Sequence, residues 1–244
     1  MKRIKIIVAT LLAGAALCTG LMIFNQKEIG DQAPITLKEP VGYSTDSAAL
    51  DIVYVDHKAS HAERISRKAS VQVHHPDFRG FGSGTYFKLK NRHFILTAAH
   101  VVRDMNYMMV SGRDELVPGK VVYTNPASDI AVLEVDKMNT RTPVKFRINH
   151  NPHVGDSLAY TGFPNGTDLL TITGRVSGYR GRWVVVQSYI WMGASGSGVF
   201  DSQGRLIGVV SMVEIGNFRF PQVIEDVGYI AKISEEDEKK IREL

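Results

Sequence analysis

Phe94-Ile95-Leu96-Thr97-Ala98-Ala99-His100 reads as a short buried strand that runs, without a Gly or Pro break, into a histidine. Downstream, Ser128-Asp129-Ile130-Ala131-Val132-Leu133 places an aspartate just ahead of a second apolar run. Further on, Gly193-Ala194-Ser195-Gly196-Ser197-Gly198 sets a serine among glycines, ahead of Val199-Phe200. Each chemistry-bearing residue thus lies beside a strand-like segment. Val71 and Val73 alternate in a strand from Ser70, and Gly82-Ser83-Gly84 opens another at Thr85 to Leu89, turned by Lys90-Asn91-Arg92. Met108 to Ser111, Val117 to Tyr123, Ile130 to Val135, Asp156 to Thr161, Leu170 to Ser177 and Trp183 to Tyr189 follow, with a hairpin of Val199-Phe200 and Leu206 to Val213 around Asp201-Ser202-Gln203-Gly204. Many short strands joined by glycine-rich turns indicate an all-β barrel or sandwich.

The order His100, Asp129, Ser195 supplies a base, an orienting carboxylate and a nucleophile. A serine hydroxyl is a weak nucleophile unless a base lies within hydrogen-bond reach. His100 can take its proton and pass it to a leaving amine, while Asp129 holds the other ring nitrogen. Gly193 and Gly196 allow tight turns where a Cβ would clash. The amides of Gly193 and Ser195 can then face a developing oxyanion, each such donor being worth about 3 kcal/mol in the transition state. Residue types alone leave plainer roles open: a flexible turn for the glycine-rich stretch, a buried histidine at position 100, a turn cap at 129, and Ser197 as a rival nucleophile.

Composition narrows the rest. Hydrophobic residues make up 44% of the 244, enough for a packed body. A net charge of +4, with no basic stripe interleaved with aromatics, gives no support to nucleic-acid binding. Cys18 is the one cysteine, so neither an internal disulfide nor a cysteine zinc site is available. His74-His75 lacks a set of carboxylate partners, and no metal is expected. Lys2, Arg3 and Lys5 precede the uncharged run Ile6 to Phe24, which is long enough to span a bilayer. A retained signal-anchor is the first expectation, and a signal peptide cleaved to give a secreted or periplasmic protein is the second. His57 to Lys68 has weak helical character, with Ile65 facing inward and a solvated basic face. Ser234, ahead of Glu235, Glu236 and Asp237, caps a last short helix that must dock to be stable.

From Ser70 to Glu214 the chain resembles the trypsin-like serine proteases of the chymotrypsin superfamily. The resemblance rests on Thr97-Ala98-Ala99-His100, Ser128 to Val135 and Gly193 to Phe200, with support from Val154 to Gly166 and Thr171 to Gly178. It is nearest the bacterial HtrA-like and glutamyl-endopeptidase-like branches. It implies two perpendicular six-stranded β barrels with the site between them, and cofactor-free peptide-bond hydrolysis through an acyl-enzyme, with a polypeptide as substrate. It implies His100 as general base and acid, Asp129 as orienter, Ser195 as nucleophile, and Gly193 and Ser195 as the oxyanion hole. Tyr189, Ile190, Met192, Ser211, Met212 and Val213 are implied to border the S1 pocket, which suggests small or medium apolar P1 residues. Arg180 and Arg182 lie in loops able to modify that choice. Ala194 and Gly198 depart from the Asn or Asp and the Pro usual in this motif, and Gly198 is expected to loosen the turn. The residues after Glu214 are too few for a PDZ domain.

The expected layout is a signal-anchor or signal peptide at 1–24, an exported linker or N-terminal extension at 25–66, a protease domain at 67–233 and a helix at 234–244. A catalytically latent, protease-like binding or scaffold protein is the alternative from another functional class, and a serine esterase on the same fold is a third. Oligomeric state is not legible.

Overall fold

A computed structural model describes residues 58–166, 168–217 and 221–244. The candidate membrane segment at 6–24 and most of the expected extension lie outside these residues. Among the described residues, no helix is long and apolar enough to cross a membrane.

Among the described residues, thirteen strands build two closed sheets. The first uses β1 (Ser70–His74), β2 (Phe81–Leu89), β3 (Arg92–Thr97), β4 (Tyr107–Ser111), β5 (Leu116–Asn125) and β6 (Ile130–Val135). Their order is β1-β4-β5-β6-β3-β2, and antiparallel pairing of β1 with β2 closes the ring. A two-residue strand, β7 (Val144–Lys145), adds parallel to β2. Val71, Val73, Tyr86, Ile95, Val110 and Leu133 share one face by register and fill the interior. Closure leaves this ring without an open edge.

The second ring uses β8 (Ser157–Gly162), β9 (Leu170–Arg180), β10 (Trp183–Gln187), β11 (Gly198–Asp201), β12 (Leu206–Asn217) and β13 (Pro221–Lys232), in the order β10-β13-β12-β11-β8-β9. Leu158, Tyr160, Val184, Val186, Val199, Ile207, Val210 and Ile230 form its core. The all-β class, the two six-stranded barrels and the short last helix are as expected. Strand β13 is not among those expected from the sequence; it pairs with both β10 and β12 and so closes the second barrel. Proline is tolerated at its first position because that residue begins the strand.

Helix α1 (His61–Ala69) is capped by Ser60, whose Oγ accepts the Glu63 amide at 3.3 Å while Glu63 Oε2 accepts the Ser60 amide at 2.7 Å. It packs on β8, β9 and β11 of the second barrel, then feeds directly into β1 of the first. The Ser66 hydroxyl donates to Thr161 Oγ1 at 2.8 Å, and the Ser70 hydroxyl donates to the Thr161 carbonyl at 2.9 Å. The 66/67 division drawn from the sequence falls inside this helix. Ala62, Ser66 and Ala69 are buried against the sheet with Ile65 packed on the core, while His61 and Lys68 stay exposed on the solvated face.

Candidate active site

His100 lies in the single-turn helix α2 (Ala99–Val102), directly after β3, and Asp129 ends the turn that leads into β6. Strands β3 and β6 are antiparallel with Thr97 opposite Ala131, so the two side chains emerge past the same sheet end. The Asp129 backbone is left-handed, at φ 56°. An aspartate tolerates that conformation better than most residues. From there its carbonyl accepts the Ala99 amide at 3.2 Å, and its Oδ1 accepts the His100 amide at 2.9 Å.

The His100 ring nitrogen Nδ1 lies 2.9 Å from Asp129 Oδ2 and 3.1 Å from Oδ1. An ionised carboxylate can only accept, so Nδ1 donates to it, and in the neutral ring Nε2 is left as an acceptor. The Ser211 hydroxyl also donates to Asp129 Oδ2. Burial pushes the Asp129 carboxyl up, but the bonds from His100 and Ser211 outweigh it and hold the carboxyl below its ordinary range.

Ser195 comes from the second barrel, in two successive tight turns ahead of β11. The Ala194 amide donates to the Trp191 carbonyl at 3.1 Å, and the Ser197 amide donates to the Ala194 carbonyl at 3.0 Å. Each turn has a glycine third, Gly193 at φ 92° and Gly196 at φ 90°, as type II geometry requires. A Cβ on Gly196 would sit 2.2 Å from both the Ser83 carbonyl and Thr97 Oγ1, so the turn presses against the end of β3, three residues before His100. The Ser195 carbonyl accepts the Ser83 amide at 2.7 Å.

Among the described residues, the amides of Gly193 and Ser195 donate to nothing within the protein. Their peptide planes are nonetheless fixed from the carbonyl side. The Met192 carbonyl accepts the Asn165 amide at 2.6 Å, and the Ala194 carbonyl accepts the Ser197 amide. In a trans peptide the N–H points opposite its C=O, so both donors are aimed away from those partners. Among the described residues, Ser195 Oγ and His100 Nε2 also have no hydrogen bond in this resting geometry. Such bonds are often long before substrate arrives. Ser197 is fully buried with an unpartnered hydroxyl, which leaves it no access to a substrate.

The remaining sequence-selected residues divide. Ile190 is buried against Gly228, where a Cβ would meet its Cδ1 at 2.1 Å. The Tyr189 carbonyl accepts the Tyr160 hydroxyl. Tyr189 and Met192 are 47% and 62% exposed. Met212 and Val213 are half-buried on β12. Ser211, grouped with the pocket border by sequence, directs its hydroxyl to Asp129. Arg180 donates to Glu214 and to the Tyr229 hydroxyl, and its guanidinium lies 5.5 Å from the Tyr229 ring centre. Arg182 stacks on Trp183 at 4.9 Å. Gly198 does not loosen its turn: a Cβ there would meet Thr85 Oγ1 at 2.4 Å, and its amide donates to that oxygen at 2.9 Å. Sequence reasoning missed Ser83, which bonds through its hydroxyl and its backbone, and Asn165, which bonds through its backbone amide, and no spacing signal marks them.

A family model of the trypsin-like peptidase domain matches residues 82–209, from β2 into β12. This chain belongs to the trypsin-like peptidase domain family. The peptidase domain is 33% identical over 146 residues to a probable periplasmic serine endoprotease DegP-like of Pseudomonas fulva, covering 55% of this chain and 29% of that protein. It is 31% identical over 176 residues to a serine protease HtrA-like of Staphylococcus epidermidis, covering 62% of this chain and 30% of the relative. The chain therefore spans less than a third of the length of these curated relatives. Among solved structures, the serine endoprotease from Yersinia pestis aligns with a TM-score of 0.60 at 26% identity, over 75% of this chain and 65% of that one. The Rv3671c protease of Mycobacterium tuberculosis, in an inactive form, aligns with a TM-score of 0.58 at 18% identity, over 75% of this chain and 92% of that one, a likeness of fold.

Proposed function

We propose that this chain is a serine endopeptidase that cleaves polypeptides through an acyl-enzyme at Ser195. The observation that carries the reading is the His100–Asp129 pair, at 2.9 Å, beside a serine turn whose Gly193 and Ser195 amides are left open. In the proposed cycle, His100 Nε2 removes the Ser195 hydroxyl proton as Oγ attacks the scissile carbonyl. The two amides receive the oxyanion. The imidazolium, held by Asp129, gives its proton to the leaving amine. Water then attacks the acyl group, with His100 again as base, and the freed acid leaves Ser195 as it began.

Ile190 against Gly228 supports a shallow S1 site that admits small or medium apolar P1 side chains. Tyr189 and Met192 on its rim, with Met212 and Val213 along β12, supply the rest of its wall. A latent scaffold role is not favoured, because nothing within the described protein occupies the two amides. The proposed layout keeps residues 1–24 as a signal-anchor or cleaved signal peptide and places the catalytic body outside the cytoplasm, in keeping with relatives named as periplasmic.

The test is covalent labelling of the purified chain with a fluorophosphonate, the adduct being mapped by peptide mass. A Ser195 adduct that Ser195→Ala abolishes supports the reading, provided a peptide library is also cut. A folded chain with no adduct and no cleavage rules it out.

A further inference from the structure

Ser83 is fully buried on β2, in the first barrel, yet most of its polar groups serve the second. Its hydroxyl donates to the Gly193 carbonyl at 2.7 Å and accepts the Phe163 amide at 3.0 Å. Its amide donates to the Ser195 carbonyl at 2.7 Å. Its carbonyl accepts the Thr97 hydroxyl at 2.8 Å, which ties it back to the strand that delivers His100. One residue therefore grips the Gly193–Ala194 and Ser195–Gly196 peptides and joins them to the 163–165 segment, whose Asn165 amide holds the Met192 carbonyl.

Gly193 shares one carbonyl with Ser83 and presents one amide to the cleft, so its two peptide planes are set by different neighbours: Asn165 fixes the plane before it and Ser83 the plane after it. A tight turn has two neighbouring solutions, types I and II, which differ by a flip of the central peptide. The flip would aim the Gly193 N–H away from the oxyanion and turn the Met192 carbonyl toward it. The Met192–Asn165 bond opposes that flip directly. The Ser83 hydroxyl opposes it from below, because it anchors Gly193 and Phe163 to one oxygen and so keeps the two segments in register.

Resting on the serine-endopeptidase reading above, we infer that Ser83 is a positioning residue that latches the oxyanion turn in its productive form. Ser83 touches no substrate; it acts through the Gly193 and Ser195 peptides. The hole is then held ready by the fold, and release of the 163–165 segment is the route to an inactive turn. Removing the hydroxyl leaves the Phe163 amide and the Gly193 carbonyl without a partner, while the backbone bond to Ser195 survives.

The experiment compares the full chain with its Ser83→Ala and Ser83→Cys variants. Steady-state hydrolysis of one peptide amide is read alongside inhibition by the matching peptidyl trifluoromethyl ketone, whose hemiketal places an oxyanion in the hole. Ser83→Ala should lower kcat about tenfold with KM within about twofold, and raise the inhibition constant of the ketone by the same factor as kcat falls. Ser83→Cys, which keeps the shape and a weaker donor, should fall between, and it carries the test if Ser83→Ala does not fold. Unchanged kcat in a folded variant overturns the inference, as does a kcat loss that leaves ketone binding unmoved. A wild-type chain inert to both substrate and ketone removes the endopeptidase reading and this inference together; an active wild type with an unaffected Ser83→Ala removes this one alone.

Discussion

The Asp237 carboxylate accepts the Ser128 hydroxyl at 2.9 Å, one residue before Asp129. Asp237 is the third residue of the last helix, α3 (Glu235–Glu243), and its side chain is buried. The same Oδ1 also accepts Tyr123 at 2.7 Å and the Asn125 amide nitrogen at 2.9 Å, while Oδ2 completes the Ser234 cap. The last helix therefore fixes both ends of the turn that holds Asp129 at its left-handed φ.

Asp237→Asn should weaken both the fold and the site. Its amide group must face either the cap or the turn, and either choice sets donor against donor in a buried place. The expected cost is about 1–3 kcal/mol, read by urea denaturation. A several-fold loss of kcat with little change in KM should accompany it. An unaffected kcat in a folded variant would sever the helix from any influence on Asp129.

Acid should undo this arrangement. Burial pushes Asp129, Asp237 and Glu238 up, yet bonds from His100 and Ser211, from Ser234, Tyr123 and Asn125, and from Arg242 and His150, respectively, leave all three below their ordinary values. A lowered folded-state value means fewer protons bound when folded, so the stability is present above the unfolded-state value. It is lost as pH falls from about 4 through the folded-state values. Urea midpoints measured between about pH 6 and pH 3 should fall, and Asp237→Asn should flatten that fall.

Gly196→Ala and Gly155→Ala form a matched pair. Both glycines have φ near 90°, but a Cβ at Gly155 meets nothing within 4 Å, whereas one at Gly196 collides with Ser83 and Thr97. Gly155→Ala should cost about 1 kcal/mol from backbone strain alone. Gly196→Ala should cost more and abolish fluorophosphonate labelling. Equal effects on stability and labelling would mean that the contacts around Gly196 do not matter.

Ile190→Ala should deepen the proposed S1 site, since the Ile190 side chain occupies the space beside Gly228. The ratio of kcat/KM for a P1 Phe substrate to that for P1 Ala should rise at least about tenfold, the scale set by a few methylenes in an apolar pocket. A peptide series varied at P1 alone checks it, and an unchanged ratio would place the pocket elsewhere.

The strands that carry the motifs are legible because their apolar runs are short and glycine-bounded. The His100–Asp129 pairing follows from residue order, and its hydrogen bonds are present in the fold. β13 is not legible: Pro221, Glu225-Asp226 and Gly228 interrupt its apolar pattern, and its place is set by pairing with two partners. Ser83, Asn165 and the bond from Ser211 to Asp129 escape for a related reason. These contacts cross between barrels or run through backbone atoms, and a linear pattern encodes neither. Gly198 reads as slack because its need for close approach to Thr85 emerges only when β11 meets β2.

Helix α1 holds the second barrel with its side chains, and the residue after it, Ser70, opens the first. A pull on the chain ahead of Ser60 would thus reach both barrels through one helix. His100 and Asp129 sit on one side of the seam between the barrels and Ser195 on the other. Sliding one barrel along the other would part that pair from the serine with every strand still paired.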